Sequence, residues 1–211
     1  MFWYNEEVSL LEKKTIAPKS DKPRLVCYGS SSMRLWPEIE KDFPEFDVIN
    51  HAFGGSTLAA CCWFFERLIP QCSPDLILFY AGDNDLGDGR HPEEVFFFFK
   101  TLMNLIQEYC GNIPVAFISV KPSIARNYLL ESVKYTNKII KSEIEAKYPN
   151  CKFVNIFDEM FSINQKNSEL FEEDGLHMSK AGYAVWTKIV RESFLNQFIS
   201  LSNSDQTQIT K

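Results

Sequence analysis

Five short runs of the chain are almost continuously apolar: residues 24–28, 47–49, 76–81, 115–120 and 153–157. Aliphatic, β-branched and aromatic residues fill them with little polar alternation. That pattern belongs to strands covered on both faces, as in a parallel sheet. Between the runs, apolar positions recur at helical spacing over residues 57–68, 92–109, 129–147 and 179–198. Pro92 suits a first helical turn, and Glu93 and Glu94 after it suit the positive end of a helix. Ser179 suits an N-cap. In the third segment Val133, Ile139, Ile140 and Ile144 lie opposite Lys and Glu. Strands alternating with helices through single crossovers predict an open, doubly wound α/β sheet of about five strands with helices on both faces.

The pattern shows no repeat and no linker, so residues 1–211 read as a single domain. Trp3, Tyr4, Val8 and Leu11 are spaced as a short amphipathic helix, so residues 1–20 read as a helical extension packed on the domain. The polar tail 201–211 is expected to fray. The opening stretch lacks the basic start and apolar core of a signal peptide. No stretch approaches the roughly 20 apolar residues that span a bilayer. The net charge of −6 disfavours nucleic acid and anionic membranes as partners. The six cysteines form no C-x-x-C pair and have no histidine at ligand spacing, which points to reduced thiols, a cytoplasmic setting and no metal site.

In open parallel sheets, ligands bind beyond the carboxyl ends of the strands. Four polar stretches fall there. Gly29-Ser30-Ser31-Ser32 follows the first run and Asn50 to Thr57, containing Gly54-Gly55, follows the second. Gly82-Asp83-Asn84-Asp85 follows the third, and Asp174-Gly175-Leu176-His177 precedes the last helix. A serine becomes a nucleophile when a base takes its proton, and histidine is the usual base near neutrality. Of the three histidines, His91 reads as a surface residue entering a helix and His51 as a structural one. His177 has Asp174 three residues earlier, close enough to hold its Nδ1–H and support the imidazolium. The backbone N–H groups of Ser31 and Gly55 and the amide of Asn84 are the candidate donors to a developing oxyanion.

Taken together, these four blocks closely resemble the SGNH (GDSL-type) hydrolase family, in a bacterial branch described as GDSL-like lipases or acylhydrolases. The resemblance runs from about Trp3 to about Phe198 and includes the strings YGSSSMRLWP, FGGSTL, YAGDNDLGDG and ELFEEDGLHMSKAGY. It implies a flavodoxin-like three-layer α/β/α sandwich. It also implies a serine esterase with Ser31, Asp174 and His177 as triad, Ser31, Gly55 and Asn84 as oxyanion hole, and no cofactor or metal. Ser30 stands where the family usually has Asp, and Ser32 is the alternative nucleophile. The implied substrate is a small ester, with a short acyl or acetyl group as the expectation. A carbohydrate O-acetylesterase, a lysophospholipase or a thioesterase would use the same constellation.

Arg34 and Arg126 are candidates to meet an anionic substrate, with surface ion pairs as the plainer role. Phe53, Trp63, Phe64 and the phenylalanines at 96–99 supply apolar surface for the core, an acyl pocket or a homodimer interface. Three readings compete with the hydrolase. A phosphate-binding flavodoxin-like module leaves Asp174 and His177 unused. A calcium loop through Asp83, Asp85 and Glu94 lacks its turn glycine. A non-catalytic relative would not need every reactive group to be present.

Overall fold

The computed structural model of the protein describes residues 1–164 and 168–196. All five apolar runs supply strands: β1 (Arg24–Gly29), β2 (Asp47–Asn50), β3 (Leu76–Tyr80), β4 (Val115–Ile118) and β5 (Cys151–Val154). They form one parallel sheet in the order β2-β1-β3-β4-β5. Every residue of β1, β3 and β4 is buried, as continuous apolarity requires. The edge strands β2 and β5 are half-buried or mixed. The fifth strand is shifted from the expected 153–157. It begins at Cys151, and the Ser119 hydroxyl accepts the N–H groups of Ile156 and Phe157, which ends the ladder there. Ile156 and Phe157 are apolar because they pack in the core, not because they extend the strand.

The helices are α1 (Asn5–Lys13), α2 (Ser31–Arg34), α3 (Ile39–Asp42), α4 (Leu58–Leu68), α5 (Asp83–Gly87), α6 (Pro92–Cys110), α7 (Leu130–Lys147), α8 (Phe157–Asn164) and α9 (Lys180–Val190). Period-2 alternation along the strands splits the core in two. Val26, Tyr28, Ile77, Phe79 and Phe117 face α1, α4, α6 and α7. Leu25, Cys27, Leu78, Tyr80 and Ile118 face Met33, Trp36, Phe43 and the Tyr183, Trp186 and Val190 side of α9. This is an α/β/α sandwich. Thr57 and Ser179 cap α4 and α9 by accepting the N–H groups of Ala60 and Gly182. A π-helical turn, Arg191–Leu195, continues α9. The expected helix end at Phe198 and the tail 201–211 lie outside the described residues.

Two features of this topology position the site. The chain leaves β1 for β2 on one side and returns to β3 on the other, which opens a crevice at the carboxyl ends of β1 and β3. Gly29 then lets β1 pass against β3: its φ is +133°, and a Cβ there would sit 1.9 Å from the Tyr80 carbonyl oxygen. The chain turns straight into α2, with the Ser30 N–H donating to that same carbonyl at 2.9 Å.

Candidate active site

Ser31 is the first residue of α2, so its N–H lacks an acceptor within the helix and faces outward beyond β1. Its hydroxyl oxygen lies 3.1 Å from His177 Nε2. On the other side of the ring, His177 Nδ1 lies 2.6 Å from Asp174 Oδ2. A carboxylate only accepts, so Nδ1 carries the proton and Nε2 is left to accept from the serine. Asp174 Oδ1 also accepts the N–H groups of Leu176 and His177, at 2.8 and 2.9 Å. The Leu176 amide, the imidazole and the His177 amide together hold the Asp174 carboxyl down to about 2. The loop is pinned at both ends. Glu172 N–H donates to the His177 carbonyl, and Ala125 N–H donates to the Gly175 carbonyl. The His177 and Asp174 side chains are 31% and 49% exposed, so the site opens to solvent.

The glycine pair after β2 reaches the same crevice. Gly55 has φ +63°, and a Cβ there would meet nothing within 4 Å. Ser56 Oγ–H donates to the Gly29 carbonyl at 2.9 Å, tying the turn to the end of β1. Asn84 lies in the first turn of α5, beyond β3. Its Nδ2 donates to the Ser56 carbonyl at 3.0 Å, and its Oδ1 accepts from Arg126 Nη2 at 2.9 Å. A carbonyl can only accept and a guanidinium can only donate, so these partners fix which way the amide faces. One of the two Nδ2 hydrogens remains for a ligand. The three candidate oxyanion donors are thus tied to one another through Gly29 and Ser56.

Beneath them lies a charged cluster. Lys121 is 1% exposed, and its Nζ lies 2.8 Å from Asp83 Oδ2, 3.0 Å from Ser32 Oγ and 3.2 Å from the Tyr80 hydroxyl. Arg126 Nη1 lies 3.3 Å from the same Asp83 carboxylate. Burial raises the Asp83 carboxyl, but Lys121 and Arg126 outweigh it and leave it below its ordinary value. Ser32 is therefore bonded to a lysine, whereas Ser31 meets the histidine. Asp85 accepts the N–H of Leu58 at 2.6 Å and so ties α5 to the start of α4. Glu94 accepts the His91 N–H at the start of its own helix. The carboxylates of the calcium-loop pattern thus serve three separate local purposes. His51 is buried, with Nδ1 3.2 Å from the Leu68 carbonyl oxygen. Arg34 pairs with Glu7 at 3.4 Å, and Arg126 directs its donors to Asn84 and Asp83.

The sequence reading passed over Lys121, Tyr80, Tyr4 and Glu7, all of which reach these groups. For Lys121 a signal existed: a single lysine directly after an apolar run, at the sheet edge where ligands bind. A recess of about 250 Å³ elsewhere, lined by Met103, Ile113, Tyr148 and Cys151 among others, contains no serine or histidine.

The family model for the GDSL-like lipase/acylhydrolase family matches residues 23–185. The chain belongs to this family. It is thus a hydrolase of ester bonds, and GDSL-like enzymes act on small ester substrates. No curated protein sequence matches the chain. Among solved structures, a GDSL-like lipase from Bacteroides thetaiotaomicron superposes with TM-score 0.73 at 19% identity, covering 93% of this chain and 97% of that one. A member of the lipolytic G-D-S-L family from Veillonella parvula gives TM-score 0.67 at 19% identity, covering 82% and 98%. An acetyl xylan esterase gives TM-score 0.70 at 15% identity, covering 81% and 99%. At such identities these likenesses establish the shared GDSL fold. No helix among the described residues is long and apolar enough to cross a membrane.

Proposed function

We propose that this protein is a serine esterase for short acyl or acetyl esters, with Ser31 as nucleophile, His177 as base and Asp174 as its orienter. One observation carries the assignment: a serine hydroxyl 3.1 Å from an imidazole whose other nitrogen lies 2.6 Å from a carboxylate. His177 Nε2 takes the proton as Ser31 Oγ bonds to the ester carbonyl carbon. The N–H groups of Ser31 and Gly55 and the Asn84 amide receive the oxyanion. The imidazolium then gives its proton to the departing alkoxide as the C–O bond breaks. Water, deprotonated by the same imidazole, attacks the acyl-enzyme, and the acid leaves as Ser31 regains its proton. The solvent-open histidine and aspartate support a small acyl group and a leaving alcohol that stays largely in solution. An acetyl xylan esterase and an acetyl esterase share the fold, which fits a sugar-borne acetyl group among the candidate substrates.

The test is hydrolysis of p-nitrophenyl esters from acetate to decanoate. Wild type is expected to cleave acetate and butyrate best. Ser31→Ala is expected to lose at least about 10³-fold in kcat, as removal of a triad nucleophile does. Ser32→Ala is expected to remain active, since its hydroxyl bonds Lys121. Full activity in folded Ser31→Ala would overturn the assignment.

A further inference from the structure

The residues just ahead of the family-matched stretch 23–185 reach into the site. Helix α1 packs on α4, and the Tyr4 ring is buried edge-on against Phe53 and Phe64. From there the Tyr4 hydroxyl donates to the Gly55 carbonyl oxygen at 3.0 Å. One turn further along, Glu7 Oε2 accepts the Gly54 N–H at 2.9 Å. Glu7 Oε1 lies 3.4 Å from Arg34 Nε, on the helix that Ser31 opens.

Peptide geometry gives these contacts their meaning. The Gly54 N–H belongs to the peptide linking Phe53 to Gly54, and the Gly55 carbonyl to the peptide linking Gly55 to Ser56. Between them lies the Gly54–Gly55 peptide, which carries the Gly55 N–H. Two consecutive glycines impose little conformational preference of their own, so this peptide could rotate freely. Both of its neighbours are held from one short stretch, α1 and the residue that caps its start. We propose that Tyr4 and Glu7 are positioning residues: they fix the peptides on either side of Gly54–Gly55 and so aim the Gly55 N–H at the oxyanion. This rests on the esterase reading above. Through Arg34, Glu7 also holds that donor in register with the nucleophile's helix. A misplaced oxyanion donor loses transition-state stabilisation while leaving ground-state binding nearly intact.

The experiment uses the full chain and the variants Tyr4→Phe, Glu7→Ala, Glu7→Gln and Tyr4→Phe/Glu7→Ala. Tyr4→Phe keeps the buried ring and removes only the hydroxyl. Glu7→Gln keeps an acceptor for the Gly54 N–H, so it serves as the rescue. On p-nitrophenyl acetate, each of Tyr4→Phe and Glu7→Ala is expected to lower kcat about tenfold, and the double variant by about 10- to 100-fold, with KM within about threefold of wild type. Glu7→Gln is expected to recover most of the Glu7→Ala loss. Amide exchange at residues 53–56 is expected to quicken in the double variant while exchange in β1 and β3 stays unchanged. Unaltered kcat in the folded double variant, or unaltered exchange at 53–56, would overturn the proposal and leave the esterase reading standing. A folded wild type that cleaves no ester would overturn both.

Discussion

At the Asp174 carboxylate three hydrogen bonds converge: two from backbone amides and one from the imidazole. With its carboxyl held down to about 2, this group stabilises the fold above the ordinary carboxylate range and loses that effect as pH falls toward about 2. It therefore stays ionised through mild acid. Asp174→Asn is expected to lower kcat by about 10³- to 10⁴-fold with little change in KM. A rate profile of unchanged height in that variant would remove Asp174 from the mechanism. The neighbouring Lys121 is a different case, because its partner Asp83 is buried with it. Lys121→Met leaves a carboxylate in the core with Arg126 as its remaining cation, and should cost about 3–5 kcal/mol in urea denaturation. Arg126→Met frees the Asn84 amide to turn, and is expected to reduce kcat about tenfold. An unchanged kcat would show that the Ser56 carbonyl alone orients Asn84.

At the scale of elements, Asp85 joins α5 to the first turn of α4. Burial pushes its carboxyl up to about 6, even though it accepts amide N–H groups there. A folded value above the unfolded one means that the protonated form suits the native state. Its contribution is complete in acid and is lost as pH rises through about 6. Asp85→Asn stays neutral throughout. Wild type should therefore lose up to about 3 kcal/mol relative to this variant between about pH 4 and 7, measured by chemical denaturation at both. Parallel curves would assign the carboxyl an ordinary value. The elements themselves could be read from sequence where one force set them. Central strands β1, β3 and β4 are wholly buried, so their apolar runs mark them within a residue or two. The fifth run misplaced β5 because apolar character continues past Val154 into α8 for packing reasons. The serine, aspartate and histidine were legible because each lies in a short motif next to an element boundary. Tyr4 and Glu7 were not, because only tertiary contact brings them to the site, and their residue types are ordinary for an amphipathic helix.

At the scale of the molecule, the crevice depends on two strands passing at very close range. Gly29→Ala would place a methyl group 1.9 Å from the Tyr80 carbonyl oxygen, in a backbone conformation that alanine avoids. Strand β1 would have to move from β3, taking Ser31 away from Asn84. That variant is expected to lose at least about 2 kcal/mol of stability, and its folded fraction most of its activity. Wild-type rates in it would mean that the sheet tolerates the displacement. The serine and the imidazole that meet here are 146 residues apart in the chain. A polypeptide is made from its amino end, so the parts of this site emerge in a set order: bracing helix, serine, glycine turn, asparagine and, last, aspartate with histidine. On the proposed assignment, the unfinished chain already holds a nucleophile and its oxyanion donors but has no base. Hydrolysis would then begin in a single step once His177 has been made, and no chain that stops short of it could cleave esters by this route.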